Sequence, residues 1–127
     1  MTYLLDTNVL LALAWENHTQ HVKAHRWFSG VKDFATCPIS QSGFVRISIN
    51  PKLGYSQSAE EAIEFLKSLE KHPSHQFWAD DLPMTALAGQ MDRHSQVTDF
   101  YLAALAKSKG GKLATLDGDI PESLYIE

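Results

Sequence analysis

Short apolar runs alternate with longer segments of helical periodicity along this chain. Tyr3, Leu4 and Leu5 form an apolar run too brief for a helix; it predicts a buried strand that stops abruptly at Asp6. Val9 to Trp15 is apolar nearly all round and predicts a buried helix, broken by Glu16, Asn17 and His18. A second helix is predicted from Thr19 or Gln20 to Ser29, stopped by Gly30, with Val22, His25 and Trp27 or Phe28 facing inward. Asp33 to Cys37 is a second strand, ended by Pro38. Ser40 then reads as the cap of a helix running to Asn50, with Phe44, Ile47 and Val45 inward.

Lys52 to Tyr55 is a turn. Ser58 to Lys71 is strongly amphipathic, with Ala62, Ile63, Leu66 and Leu69 on its apolar stripe and charges opposite. A third strand follows at Gln76 to Ala79, closed by Asp80 and Asp81. Leu82 to Gly89 predicts a short helix, and Gln90 to Val97 a polar loop. Thr98 and Asp99 precede the best-defined helix, FYLAALAKSKGG, which ends at Gly110 and Gly111 with Lys107 and Lys109 in its last turn. Lys112 to Leu116 is a fourth strand ending before Asp117, and Leu124 to Ile126 a last edge strand.

Strands joined by helical crossovers lie parallel, so the class is α/β with four to five strands in a mostly parallel sheet. That topology has a chemical consequence. Acids at strand ends fall on one edge, and the N-terminus of a crossover helix falls there too. Asp6, Asp99 and Asp117 should therefore converge, with Asp80, Asp81, Ser40 and Gln41 nearer that edge than the opposite one. Three close carboxylates repel one another unless protonated or bridged by a cation, and all-oxygen donors suit Mg²⁺ or Mn²⁺. Such a site binds phosphate oxygens and lowers the pKa of a bound water. The alternative is three unrelated caps and turns: Asp6 and Asp99 as helix N-caps, and Asp117 with Gly118 as a turn.

The 127 residues suit one domain, residues 1–127, and an apolar fraction of 44% suffices for a core. A net charge of −4 excludes bulk-charge attraction to nucleic acid, so any phosphate binding needs a local basic group or a metal. One cysteine, Cys37, permits no internal disulfide and fits a reducing cytoplasm; no run is apolar enough for a membrane span. His21 and His25 have the i, i+4 spacing of two ligands on one helix face, but no third ligand of matching local spacing accompanies them.

Taken together, LLDTNVLLAL, ATCPISQSGFVRISINP, FWADD, VTDFYLAALA and KLATLD resemble the PIN-domain family, specifically VapC-like ribonuclease toxins of type II toxin–antitoxin modules. The resemblance covers essentially the whole chain. It implies a PIN-like α/β/α sandwich and a Mg²⁺- or Mn²⁺-dependent endoribonuclease acting on RNA. A cognate antitoxin and a homodimer are implied as well. It assigns the metal to Asp6, Asp99 and Asp117, with Thr7 or Asn8 supporting the first acid and Thr98 the second. One departure stands out. Many members carry a glutamate in the first turn of the helix after the second strand; here Gly43 is the aligned position and Gln41 sits where close relatives would place an acid. Asp119 is a substitute acid or a turn residue, and Arg46 is a candidate for phosphate or for pairing with an acid. The departure leaves open an attenuated module that binds RNA or a partner but cuts poorly. A haloacid-dehalogenase-like phosphatase, with Asp6 as nucleophile, is a third possibility, weakened because Asn8 stands in place of that family's second acid. For the antitoxin, the aromatics Trp15, Trp27 and Phe28 offer a groove or are simply core.

Overall fold

A computed structural model describes residues 1–56 and 58–127. Five strands, β1 (Tyr3–Leu5), β2 (Phe34–Thr36), β3 (His75–Phe77), β4 (Lys112–Thr115) and β5 (Leu124–Tyr125), form one sheet in the order β3-β2-β1-β4-β5. Every pairing is parallel. The period-2 alternation of strand side chains divides the core in two. Leu5, Phe34 and Ala114 face α1 (Thr7–Ala14), α2 (His21–Phe28), α3 (Pro38–Ser48) and α4 (Ala59–Glu70). Leu4, Ala35 and Leu113 face α5 (Val97–Ser108). The result is the expected α/β/α sandwich. Strand order reverses direction between β1 and β4, and in open parallel sheets such a reversal opens a crevice at the carboxyl ends.

Several element details depart from the one-dimensional pattern. Helix α3 begins at Pro38, not after Ser40: Cys37 is its N-cap, Pro38 occupies the first turn, and Ser40 Oγ sits back against the Cys37 backbone. Proline is at ease there because its missing N–H would have had no helical partner. The next free N–H, that of Ile39, is satisfied from outside the helix by Asp80 Oδ2 at 3.1 Å. Helix α5 likewise begins early, with Gln96 as its N-cap, so Thr98 and Asp99 lie inside the first turn. Val22 and Ile63, both expected inward, are 67% and 41% exposed. On α2 the fully buried residue is Ala24, whose small side chain lets the helix approach α1.

The two histidines of α2 are also accounted for. His21 Nδ1 lies 2.7 Å from the Ala12 carbonyl oxygen and His25 Nε2 lies 2.8 Å from that of Leu13. Both serve the C-terminal carbonyls of α1, which have no intrahelical partner, and this replaces the metal-ligand interpretation of their spacing. Trp15, Trp27 and Phe28 are half-buried against the core. Trp15 stacks on Phe44 at 5.9 Å and donates Nε1–H to Ser48 Oγ. Trp27 also lines an open cleft with Met1, Tyr3, Gly30, Val31 and Lys32. Among the described residues, no helix is long and apolar enough to cross a membrane.

Strand β5 joins in parallel although the link 116–123 contains no helix. Ile120 dips into the core beside α5, and Glu122 takes the left-handed conformation at φ 58° to reverse the chain. Residue for residue, that turn is strained, since a side chain at positive φ crowds its own backbone.

Candidate functional site

Asp6 directly follows β1 and caps α1, accepting a hydrogen bond from its neighbour's N–H (Thr7 N to Oδ1, 2.7 Å). Its backbone N–H is held by the Ala114 carbonyl of β4, which sets the Asp6 side chain against the end of that strand. There Thr115, fully buried, donates its hydroxyl proton to Asp6 Oδ2 at 2.7 Å. The direction of that bond is dictated by its surroundings. Leu116 N–H donates to Asn8 Oδ1 (3.1 Å), which turns the Asn8 amide so that Nδ2–H donates to Thr115 Oγ1 (3.2 Å). Asp117 N–H donates to the same oxygen (3.0 Å). With both lone pairs of Oγ1 occupied, its single proton goes to Asp6. Thr115 therefore ties the first acid to the last, and Asn8 bolts β1 to β4.

The three expected acids share this edge. Asp99 is the third residue of α5, half-buried; Asp117 lies two residues past β4. Asp117 Oδ1 accepts from Asp119 N–H at 2.9 Å, the local turn that aspartate favours, so Asp119 steadies Asp117 through its backbone while its own carboxylate stays exposed. Electrostatics register the crowding. Burial, opposed by the Thr115 and Thr7 hydrogen bonds and reinforced by Asp99 and Asp117, pushes the Asp6 carboxyl from 3.8 up to about 6. Asp99 is pushed up too, by burial first and then by Asp117.

The remaining candidates divide. Thr7 supports Asp6 through its backbone N–H, while its hydroxyl donates to the Ser40 carbonyl of α3 at 3.2 Å. Gly43 sits under that contact: a Cβ there would lie 2.8 Å from Thr7 Oγ1 and 3.2 Å from Cγ2. Glycine is what allows α3 to approach α1 this closely; a side chain there would have to displace that of Thr7 before reaching the cleft both residues line. Gln41 is turned to β2, donating Nε2–H to Thr36 Oγ1 at 2.9 Å, where His75 Nε2 also lies at 2.7 Å. Among the described residues, Thr98 makes no side-chain bond to Asp99. It lines an open cleft with Thr7, Ser42, Arg46 and Asp80 instead, and Arg46 is exposed. Asp80 lies near this edge as its place after β3 predicts, and Thr115 is the functional residue that the sequence reading missed. The signal for Thr115 is a hydroxyl directly following the buried pair Leu113–Ala114, since a buried hydroxyl needs a partner.

The donor set is wholly oxygen and anionic, with one acid raised in pKa by burial and further by its two carboxylate neighbours, and this chemistry fits a hard divalent cation. Among the described residues no three His, Cys, Asp or Glu side chains are already drawn together around one point. Ionised carboxylates accept more than one bond per oxygen, so the hydrogen bonds to Asp6 leave it ligating capacity.

Known proteins of similar sequence and fold place the chain in a family. The PIN domain family model matches residues 3–123. The chain is 42% identical to Ribonuclease VapC39 of Mycobacterium tuberculosis, covering 97% of this chain and 94% of that protein. It is 37% identical to Ribonuclease VapC38 of the same organism, over 92% and 86%. Among solved structures, the sarcin–ricin loop cleaving toxin VapC20 of M. tuberculosis superposes with a TM-score of 0.66 at 15% identity, covering 94% and 92%. FitAcB from Neisseria gonorrhoeae gives 0.66 at 18%, covering 98% and 96%. Both share the fold. With a parallel sheet reversing at β1 and β4, acids at that reversal and relatives along nearly its whole length, the chain belongs to the PIN-domain family, in its VapC-like branch.

Proposed function

We propose that this protein is a Mg²⁺- or Mn²⁺-dependent endoribonuclease, hydrolysing RNA phosphodiester bonds as the toxin of a toxin–antitoxin pair. The observation that carries the proposal is that Asp6, Asp99 and Asp117 lie on one edge of the sheet at its reversal point, where burial first, and then the charges of Asp99 and Asp117, raise the Asp6 carboxyl. These three would hold the cation. When bound, it supplies Lewis acidity toward a phosphoryl oxygen and acidifies water. The chain's own part is preorganisation. Thr7 N–H and the Thr115 hydroxyl fix both oxygens of Asp6, Asp119 N–H fixes Asp117, and Asn8 fixes the strand ends that carry them. Because these groups are set before substrate arrives, little reorganisation is required during reaction. A cognate antitoxin and a second copy of the chain are the expected partners; size-exclusion chromatography with light scattering, with and without the neighbouring gene product, measures both.

The direct test is a mixed transfer-RNA and messenger-RNA pool incubated with purified protein in Mn²⁺, Mg²⁺ or EDTA. Cuts are expected with either metal and none in EDTA. Cuts in EDTA, or none under any condition from a folded protein free of antitoxin, would reject the assignment.

A second interpretation, a PIN scaffold that binds RNA or a partner but cuts poorly, is favoured by the missing acid at Gln41 and Gly43. The two positions behave differently. Gly43→Glu drives its Cβ into Thr7 and is expected to lower both stability, by about 1–3 kcal/mol, and cleavage. Gln41→Glu is isosteric, and the Thr36 hydroxyl can reverse to donate to it. A rise of tenfold or more on that substitution, about 1.4 kcal/mol in barrier, would mark the natural site as attenuated. Unchanged cleavage would show that the three acids suffice.

A further inference from the structure

Two open clefts lie along the edge that carries the three acids, and the second has Asp99 and Asp117 in its wall. The first, about 340 Å³, lies at the ends of β1, β2 and β3 and is lined by Thr7, Ser42, Arg46, Asp80 and Thr98. The second, about 250 Å³, lies beyond β4 and is lined by Arg93, Gln96, Asp99, Phe100, Asp117 and Asp119. Strand order puts Asp6 between them, since β1 separates β2 and β3 from β4. Each cleft is near the lower end of the volume of a small-ligand pocket, about 300 Å³.

Each also holds one arginine. The chain has three, Arg26, Arg46 and Arg93, in a protein of net charge −4. Arg26, on the last turn of α2, lines neither cleft. Among the described residues Arg46 makes no ion pair or hydrogen bond, and Arg93 has only a 3.9 Å contact with Asp92 in which both side chains are exposed. An exposed pair of that kind is worth little and yields readily to a better anion. Asp80, which lines the first cleft with Arg46, has Oδ2 bound by the Ile39 N–H, while its buried Oδ1 has no partner among the described residues.

We infer that a single RNA strand lies along the carboxyl edge of the sheet, from the Arg46 cleft across the three acids to the Arg93 cleft, each arginine binding a backbone phosphate on its own side. This rests on the nuclease proposal. A planar guanidinium suits phosphate oxygens, and a pair of arginines flanking an otherwise acidic centre holds a polyanion where the net charge would repel it. Side-by-side clefts suit a strand whose bases are splayed and not a continuous duplex. The hydroxyls of Ser42 and Thr98 are the polar groups available to the nucleotide on the Arg46 side.

The test is fluorescence anisotropy of a short 5′-fluorescein-labelled single-stranded oligoribonucleotide of random sequence, titrated across a potassium chloride series with Asp6→Asn protein. Arg46→Gln and Arg93→Gln, each added to that background, are expected to reduce the slope of log affinity against log salt by about 0.7 apiece, and the pair by about 1.4. Arg26→Gln is expected to leave the slope unchanged. A parental slope in either single variant overturns the two-sided path, as does an equal effect of Arg26→Gln. Absence of RNA binding by the Asp6→Asn protein also overturns it. Cleavage of the RNA pool by wild-type protein then separates the two proposals: if it cuts, only the path fails; if it does not, the nuclease assignment fails as well.

Discussion

Asp6→Asn protein is expected to lose RNA cleavage by about a thousandfold or more, equivalent to roughly 4 kcal/mol of barrier, while its metal-free form loses much of its pH-dependent instability. Both effects have one origin. The Asp6 carboxyl is buried, and burial raises it from 3.8 to about 6 despite two hydrogen bonds that favour its charge. In the folded protein it holds a proton that the unfolded chain has already released. Its contribution to stability is therefore fully present below about pH 3.8 and is lost as pH rises through about 6, leaving an ionised group that costs on the order of 3 kcal/mol at neutral pH. A cation bound among the acids, as proposed, would offset that cost.

Urea denaturation in EDTA between about pH 4 and 8, wild type against Asp6→Asn, isolates the contribution, because other titrating groups cancel in the difference. The wild type is expected to lose more stability over that window than the variant. Asparagine presents one acceptor to two donors, Thr7 N–H and the Thr115 hydroxyl, so its own network is imperfect and the flattened pH profile is the cleaner readout. Full cleavage by Asp6→Asn protein would remove this residue from the site; an equally steep pH profile would remove the buried-charge explanation.

The second large effect is expected at Thr115. Thr115→Val keeps the shape of the side chain and deletes its hydroxyl, so Asp6 Oδ2 loses a donor while Asn8 Nδ2 and Asp117 N–H lose their acceptor. Unpaired polar groups at a buried position cost about 1–3 kcal/mol each, and a loss of 3 kcal/mol or more is expected. Groups that orient metal ligands typically contribute 10–100-fold in affinity, so Mn²⁺ binding by isothermal titration calorimetry is expected to weaken within that range. Thr115→Ser retains the hydroxyl and forfeits only a methyl. It is expected to restore Mn²⁺ affinity and cleavage to near wild type, with a stability loss of about 1 kcal/mol. A serine variant as impaired as the valine variant would mean that methyl packing, not the hydroxyl, is what the site needs.

What could be read in one dimension follows from what sequence periodicity records. Tyr3–Leu5, Phe34–Thr36 and Lys112–Thr115 announce themselves as brief apolar runs, and the regular interleaving of strand and helix patterns requires parallel pairing. From that alone Asp6, Asp99 and Asp117 are directed to one edge. Boundaries were less legible. The early start of α3 depends on Asp80 reaching the Ile39 N–H from another segment, and the exposure of Val22 and Ile63 depends on where neighbouring helices end.

The chain by itself determined the fold class, the sheet edge that carries the acids and the absence of bulk positive charge, because each of these follows from local periodicity and composition. Tertiary structure alone decided the rest. The polarity of the Thr115 hydroxyl depends on the register that sets Leu5 beside Ala114 and on the Asn8 amide fixed by Leu116 N–H. The crowding of any side chain at Gly43 against Thr7 depends on the distance between α1 and α3. The turning of Gln41 toward Thr36 depends on where β2 ends relative to α3. Hydrogen-bond direction and steric clearance are properties of groups distant along the chain and adjacent in space, and no pattern confined to neighbours in sequence encodes them.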